Sequence, residues 1–147
     1  MFKRILVATD GSTLSRKAVN SAISLAAENE AELVAVTVVP RYPKSYIEGA
    51  MTFSPDDIAR IEGQWAEKAQ GKLESVSAQA KAAGVSIKTT APSSDSVADA
   101  LIAAAKKHKC DLIVMASHGH KGIKRLLLGS ETQHVLTHSG LPVLVLR

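Results

Sequence analysis

The chain has 147 residues, the size of one domain with a substantial core. Hydrophobic residues make up 46% and aromatic residues 3%, so the core must be built from Val, Ile, Leu and Ala, a usage suited to parallel strands under Ala-rich helices. A net charge of +4 is too diffuse to argue for nucleic acid, no segment interleaves aromatic and basic residues, and no run approaches the ~20 apolar residues of a membrane helix.

The first element is "KRILVATDGS", an apolar run ended by Asp-Gly, read as a buried strand over residues 3–9. A helix follows from about Thr13 to Asn29, with Leu14, Ala18, Ala22 and Leu25 on one face. "AELVAVTVVP" is a second buried strand, stopped by Pro40. Residues 40–54 read as irregular, with Tyr42, Tyr46, Met51 and Phe53 placed either to close over a ligand or to anchor the segment on the core.

In "SPDDIARIE", Ser54 can cap a helix, Pro55 suits its first position, and Asp56 and Asp57 complement its dipole. Ile58, Ile61, Trp65, Ala69, Leu73, Val76 and Ala80 then recur every three or four residues until Gly84, a natural stop. "VSIKTT" is a weaker third strand. The polar turn "APSSDS" introduces an Ala-rich helix to about His108, and "CDLIVMA" is the fourth strand. A loop rich in Gly, His and Lys leads to a helix over Ser130–His138, and "PVLVLR" is the last strand.

This alternation of strand and helix in a single domain, 1–147, predicts a parallel sheet with right-handed crossovers and helices on both faces. Ligands in such sheets sit beyond the carboxyl ends of the strands, where the strand order reverses. Two strand ends carry suitable groups: "ATDGS" with Asp10, and "MASHG" with Gly119. Gly119 would let backbone N–H groups approach phosphate oxygens, and Gly129 and Ser130 stand where a helix N-terminus favours an anion. Lys121, Lys124 and Arg125 would add charge from the loop between them.

Each feature also has a plainer explanation. Gly119 and Gly122 can simply shape a turn; Asp10 before Gly11 is an ordinary turn pair; Ser130 with Gln133 forms an S-x-x-Q capping box that accounts for the serine without a ligand. The stretch is neither a Walker loop nor G-x-G-x-x-G.

Four pieces taken together, "ILVATDGS", "DLIVMASHG", "LLLGS" and "PVLVLR", resemble the universal stress protein family across essentially the whole chain. That resemblance implies a doubly wound α/β fold with a five-stranded parallel sheet in the order 3-2-1-4-5, and commonly a homodimer. Some members bind ATP through G-x2-G-x9-G-[ST]; here the stretch is Ala116-x2-Gly119-x9-Gly129-Ser130, with alanine at the first position. Carried over by position, the resemblance places Asp10 at the adenine–ribose end beside Ala8 and Thr9, and Val38 at the adenine edge. Met115 and Ala116 lie along the ligand, Ser117 belongs to the same set, His118 borders the phosphates, and Gly119, Gly129, Ser130 and the Thr132 hydroxyl serve them. Glu131 falls within the same stretch, where its carboxylate would repel a triphosphate unless it turns outward or reaches Mg²⁺.

The resulting expectation is a stress-response regulator binding ATP with Mg²⁺. It is a homodimer through its C-terminal strand, acting on an unidentified protein partner, with no nucleic acid and no membrane involved. An interaction module that binds no nucleotide, supported by Ala116 and Glu131, and a slow ATPase or autokinase remain the alternatives. The segment "MFKRILVATDG" has no secretory-signal pattern, and Cys110 is the only cysteine, so a reducing cytoplasm is expected, with Cys110 acting as a small buried hydrophobe. No catalytic or metal-binding set is expected. His134 and His138 share a helix face, nothing brings them to His118 and His120, and adjacent Ser117 and His118 side chains on an extended segment point apart.

Overall fold

A computed structural model of the chain describes residues 1–42, 54–119 and 128–147. Its elements are β1 (Arg4–Ala8), α1 (Thr13–Asn29), β2 (Glu32–Val36), α2 (Pro55–Ala82), β3 (Ile87–Thr90), α3 (Val97–Lys107), β4 (Leu112–Ala116), α4 (Ser130–His138) and β5 (Val143–Leu146). The strands form one parallel sheet in the order β3-β2-β1-β4-β5. The chain moves outward from β1 through β2 to β3, then crosses back to β4. The order therefore reverses between β1 and β4. No helix among the described residues is long and apolar enough to cross a membrane.

Central strands are covered on both faces, so they read as unbroken apolar runs rather than as alternating patterns. Ile5, Val7, Leu33 and Val114 point into a core shared with α1 and α2, while Leu6, Val34, Ile113 and Met115 point into one shared with α3 and α4. Each fully covered Leu, Ile or Val contributes roughly 1.5–3 kcal/mol. The edge strand β3 carries Lys88 and Thr89 exposed, which weakens its sequence signal. Edge strand β5 is apolar throughout yet leaves Leu144 37% exposed.

Expected and observed boundaries differ most at β2. The strand ends at Val36, although backbone bonds from Thr37 N–H to Thr90 O and from Val39 N–H to Pro92 O continue toward the β3 side. The β1 side has run out, because Thr9 N–H makes the last bond there, to Val36 O.

Ser12, Ser54 and Ser96 cap α1, α2 and α3 with their side chains, each worth about 1 kcal/mol. Helix α4 differs. Its N-cap is Gly129, with no side-chain capping bond, and Ser130 is the first helical residue. The expected Ser130–Gln133 capping box is not formed, because Ser130 lies one position inside the cap, and Gln133 Nε2 donates to Leu128 O.

Three helices close identically at the opposite pole. Ala31, Val85 and Cys110 each donate N–H to the carbonyl five residues earlier, on Ala26, Ala80 and Ala105. This closure needs a left-handed residue just before the donor. Gly84 supplies it at φ 74° for α2; Glu30 at φ 54° and Lys109 at φ 55° supply it for α1 and α3.

Candidate functional site

The carboxyl ends of β1 and β4 converge through a chain of backbone and side-chain contacts. Beyond β1, Asp10 Oδ1 accepts the Ser12 N–H at 2.9 Å and fixes the turn into α1. Thr9 is buried; its Oγ1 accepts the Gly11 N–H at 3.3 Å, and its carbonyl accepts the Thr37 hydroxyl at 2.9 Å. That last bond ties the end of β1 to the segment after β2. A Cβ placed on Gly119 would stand 2.8 Å from Asp10 Oδ2. A side chain at position 119 would therefore have to push the Asp10 carboxylate aside, whereas the torsions of Gly119 make no such demand, since its φ is not in the left-handed region.

Val38 presents its backbone to this crevice for a topological reason. Hydrogen-bonding groups alternate sides along an extended chain. Thr37 and Val39 bond toward β3, so the N–H and C=O of Val38 face the β1 side beyond the end of β1, and they pair with no backbone group among the described residues.

At the end of β4, Ser117 N–H donates to Leu146 O at 2.7 Å, and Ser117 O accepts the Gly129 N–H at 2.7 Å. A Cβ on Gly129 would lie 3.0 Å from that same oxygen and 3.7 Å from His118 Cδ2. Gly129 thus lets the start of α4 press against the end of β4 with the His118 ring alongside. Ser117 Oγ and His118 Nδ1 share a hydrogen bond at 3.0 Å. The expectation that these neighbouring side chains point apart is corrected: it assumed an extended strand, and the chain bends at Ser117. Among the described residues His118 Nε2 is buried with no hydrogen-bond partner, and leaving such a group unpaired costs about 1–3 kcal/mol.

Ala116 is the last residue of β4 and lies in extended backbone, so its methyl group meets no torsional penalty. Three other positions depart from the roles the resemblance implies. Thr132 is buried, and its hydroxyl donates to Ala116 O at 2.9 Å and Ser117 O at 3.2 Å. Its proton is committed to the loop, not to a phosphate. Met115 is 5% exposed and packs in the α3–α4 core, whose partly covered rim includes Ala8 and Val38. Glu131 Oε2 accepts the Ala98 N–H at 2.7 Å and so caps α3. Its carboxylate is thereby held on the first turn of the neighbouring helix α3.

The structure therefore places Ala8, Thr9, Asp10, Val38, Ala116, Ser117, His118, Gly119, Gly129 and Ser130 at or just beyond the carboxyl ends of β1, β2 and β4 and at the start of α4. His120, Lys121, Gly122, Lys124 and Arg125, like Tyr46, Met51 and Phe53, lie outside the described residues. Tyr42 stacks on Trp65 with ring centroids 6.3 Å apart, the anchoring alternative of the two for that residue. His134 and His138 stack at 4.1 Å, and His134 Nε2 bonds Asp99 Oδ1 at 2.9 Å; no group of metal-ligating residues occurs among the described residues. Burial pushes the Cys110 thiol up to about 11, with Arg4 opposing and Asp111 and Glu32 adding to the shift, so the thiol is a packed hydrophobe rather than a nucleophile.

Sequence reasoning did not find the Glu131–Ala98 cap or the Lys72 stem lying over Gly11, where a Cβ would meet Lys72 Cε at 3.1 Å. Both join residues far apart in the chain, and no local pattern marks them.

Comparison with known proteins gives a consistent result. A model of the universal stress protein family matches residues 1–147. The chain is similar to the universal stress protein MJ0531 of Methanocaldococcus jannaschii, 34% identical over 154 residues, covering 100% of this chain and 83% of that protein. It superposes on the solved structure of MJ0577 with a TM-score of 0.85 at 25% identity, covering 99% of this chain and 96% of the other. It also superposes on a universal stress protein in complex with cAMP, with a TM-score of 0.72 at 28% identity, covering 99% and 97%.

Proposed function

The chain belongs to the universal stress protein family, and on that premise we propose that it holds an adenine nucleotide, ATP with Mg²⁺, across the carboxyl ends of β1, β2 and β4. The observation that carries this reading is the start of α4. It is the one helix N-terminus among the described residues without a side-chain cap, and the buried, unpartnered Nε2 of His118 lies beside it. Free N–H groups, the helix dipole and an unpartnered imidazole nitrogen together suit an anionic oxygen. The cAMP complex of a relative supports the same ligand class.

In this reading Val38 meets the adenine edge with its backbone, Asp10 the ribose, and Gly119, Gly129, Ser130 and His118 the phosphates. Mg²⁺ is carried by the phosphates; Glu131, already capping α3, is not its ligand. Thr132 and Ser117 hold the loop in place from behind. The exposed apolar edge of β5 supports a homodimer, and a single buried thiol fits a cytoplasmic protein.

The test is to release and chromatograph any nucleotide that co-purifies, then titrate the emptied protein with ATP and Mg²⁺ by calorimetry. Saturable binding near one per subunit, weakened about tenfold by His118→Ala, is the expected outcome. No heat up to millimolar ATP would overturn the reading.

A further inference from the structure

The amino-terminal pole of the sheet, opposite the candidate nucleotide site, contains a concavity of about 730 Å³. All three left-handed helix ends line it: Glu30, Gly84 and Lys109. The fold's own easy solution at this position is glycine, as at Gly84. A glutamate and a lysine hold the same strained conformation at the other two ends, and both are exposed at the rim. Strain retained at exposed charged residues is a reason to look for function in those charges.

Most of the remaining charges here are already engaged. Asp111 accepts the backbone N–H groups of Lys3 and Arg4 with its two oxygens, which fixes the carboxylate but leaves its negative charge in the lining. Glu32 pairs with Arg4 and Lys88. The side chains of Lys3, Lys109 and Glu30 have no ion pair among the described residues. Exposed Lys106 and Lys107 in the last turn of α3 add positive charge beside Lys109. Ala26, Ala31 and Val85, all buried, bring small apolar side chains to the lining.

We propose that this concavity docks an acidic protein segment that also carries a basic side chain, its carboxylates on Lys3 and Lys109 and its cation on Glu30. A nucleic acid has no cation to answer Glu30 and finds no aromatic ring in the lining to stack on. A membrane surface is flat, whereas this site is concave.

The probe is a labelled peptide of about a dozen residues, Glu and Ala with one central Lys, titrated by fluorescence anisotropy into the full chain. Saturable one-to-one binding is expected. Lys109→Gly should weaken it about tenfold while raising the melting temperature by about 2–4 °C through relief of the left-handed strain. A loss of binding therefore cannot be a loss of fold. Glu30→Gly should abolish the preference for the Lys-bearing peptide over one without it. Gly119→Val, at the other pole, should change nothing, which separates this site from the nucleotide reading. The proposal is overturned if the peptide does not saturate, if Lys109→Gly binds as the parent does, or if a DNA duplex or phosphatidylserine vesicles bind more tightly than the peptide.

Discussion

Asp10 and Gly119, 109 positions apart in sequence, meet at the mouth of the sheet: the carboxylate Oδ2 lies 2.8 Å from where a side chain on Gly119 would begin. That contact joins the end of β1 to the end of β4, and it sets the space a ligand would share. A methyl group at position 119 must displace the carboxylate, which the Ser12 N–H holds by its other oxygen. Gly119→Ala should therefore weaken ATP binding about tenfold and Gly119→Val should abolish it, with each melting temperature falling by only about 2–4 °C, because position 119 is exposed. Calorimetry and thermal melts on the same preparations check both parts; unaltered ATP affinity in Gly119→Val would remove Gly119 from the site.

Glu131 separates structure from binding. Its carboxylate caps α3, so Glu131→Ala should lower unfolding free energy by about 1 kcal/mol in urea titrations. ATP affinity should stay level or rise slightly. A large loss of affinity would mean that the carboxylate reaches the metal–phosphate unit after all.

Cys110 makes stability fall at alkaline pH. Its folded-state value of about 11 lies above the ordinary 9.0. The native thiol thus keeps its proton where the unfolded chain loses it. The contribution is fully present below pH 9 and is lost as pH rises toward 11, by up to about 2 kcal/mol. Cys110→Ala should flatten the dependence of unfolding free energy on pH in that window, and the native thiol should resist a thiol reagent at pH 8. Rapid native labelling would contradict its burial.

The β5 edge is the proposed dimer seam. Leu144 is exposed there although its strand is apolar throughout. Leu144→Lys should shift sedimentation from dimer to monomer while leaving the far-ultraviolet circular dichroism unchanged. A parent protein that sediments as a monomer at micromolar concentration would remove this interface.

Much of the fold was legible because its signals are local. Unbroken apolar runs ended by Asp-Gly or Pro gave the central strands, and Ser-Pro-Asp-Asp gave the start of α2. Those patterns depend on burial, capping and dipoles within a few residues. The bounds of α4, Ser130–His138, were legible as well, but the capping of its start was not. A capping box was read from Ser130 and Gln133, whereas Gly129 is the N-cap and its N–H is held by Ser117 O, a bond that local sequence does not encode.

The glycines, Asp10 and His118 could likewise be picked out as chemistry-bearing residues, since their types suit phosphate and ribose and their positions fall at strand ends. By itself the sequence determined the element types, the aliphatic core and the family. Tertiary structure alone decided what each polar group does: Thr132 holds a loop, Glu131 caps a neighbouring helix, and His118 Nε2 is buried without a partner among the described residues. Hydrogen-bond partners are assigned by which strand ends meet in space, and that follows from sheet order rather than from any local pattern.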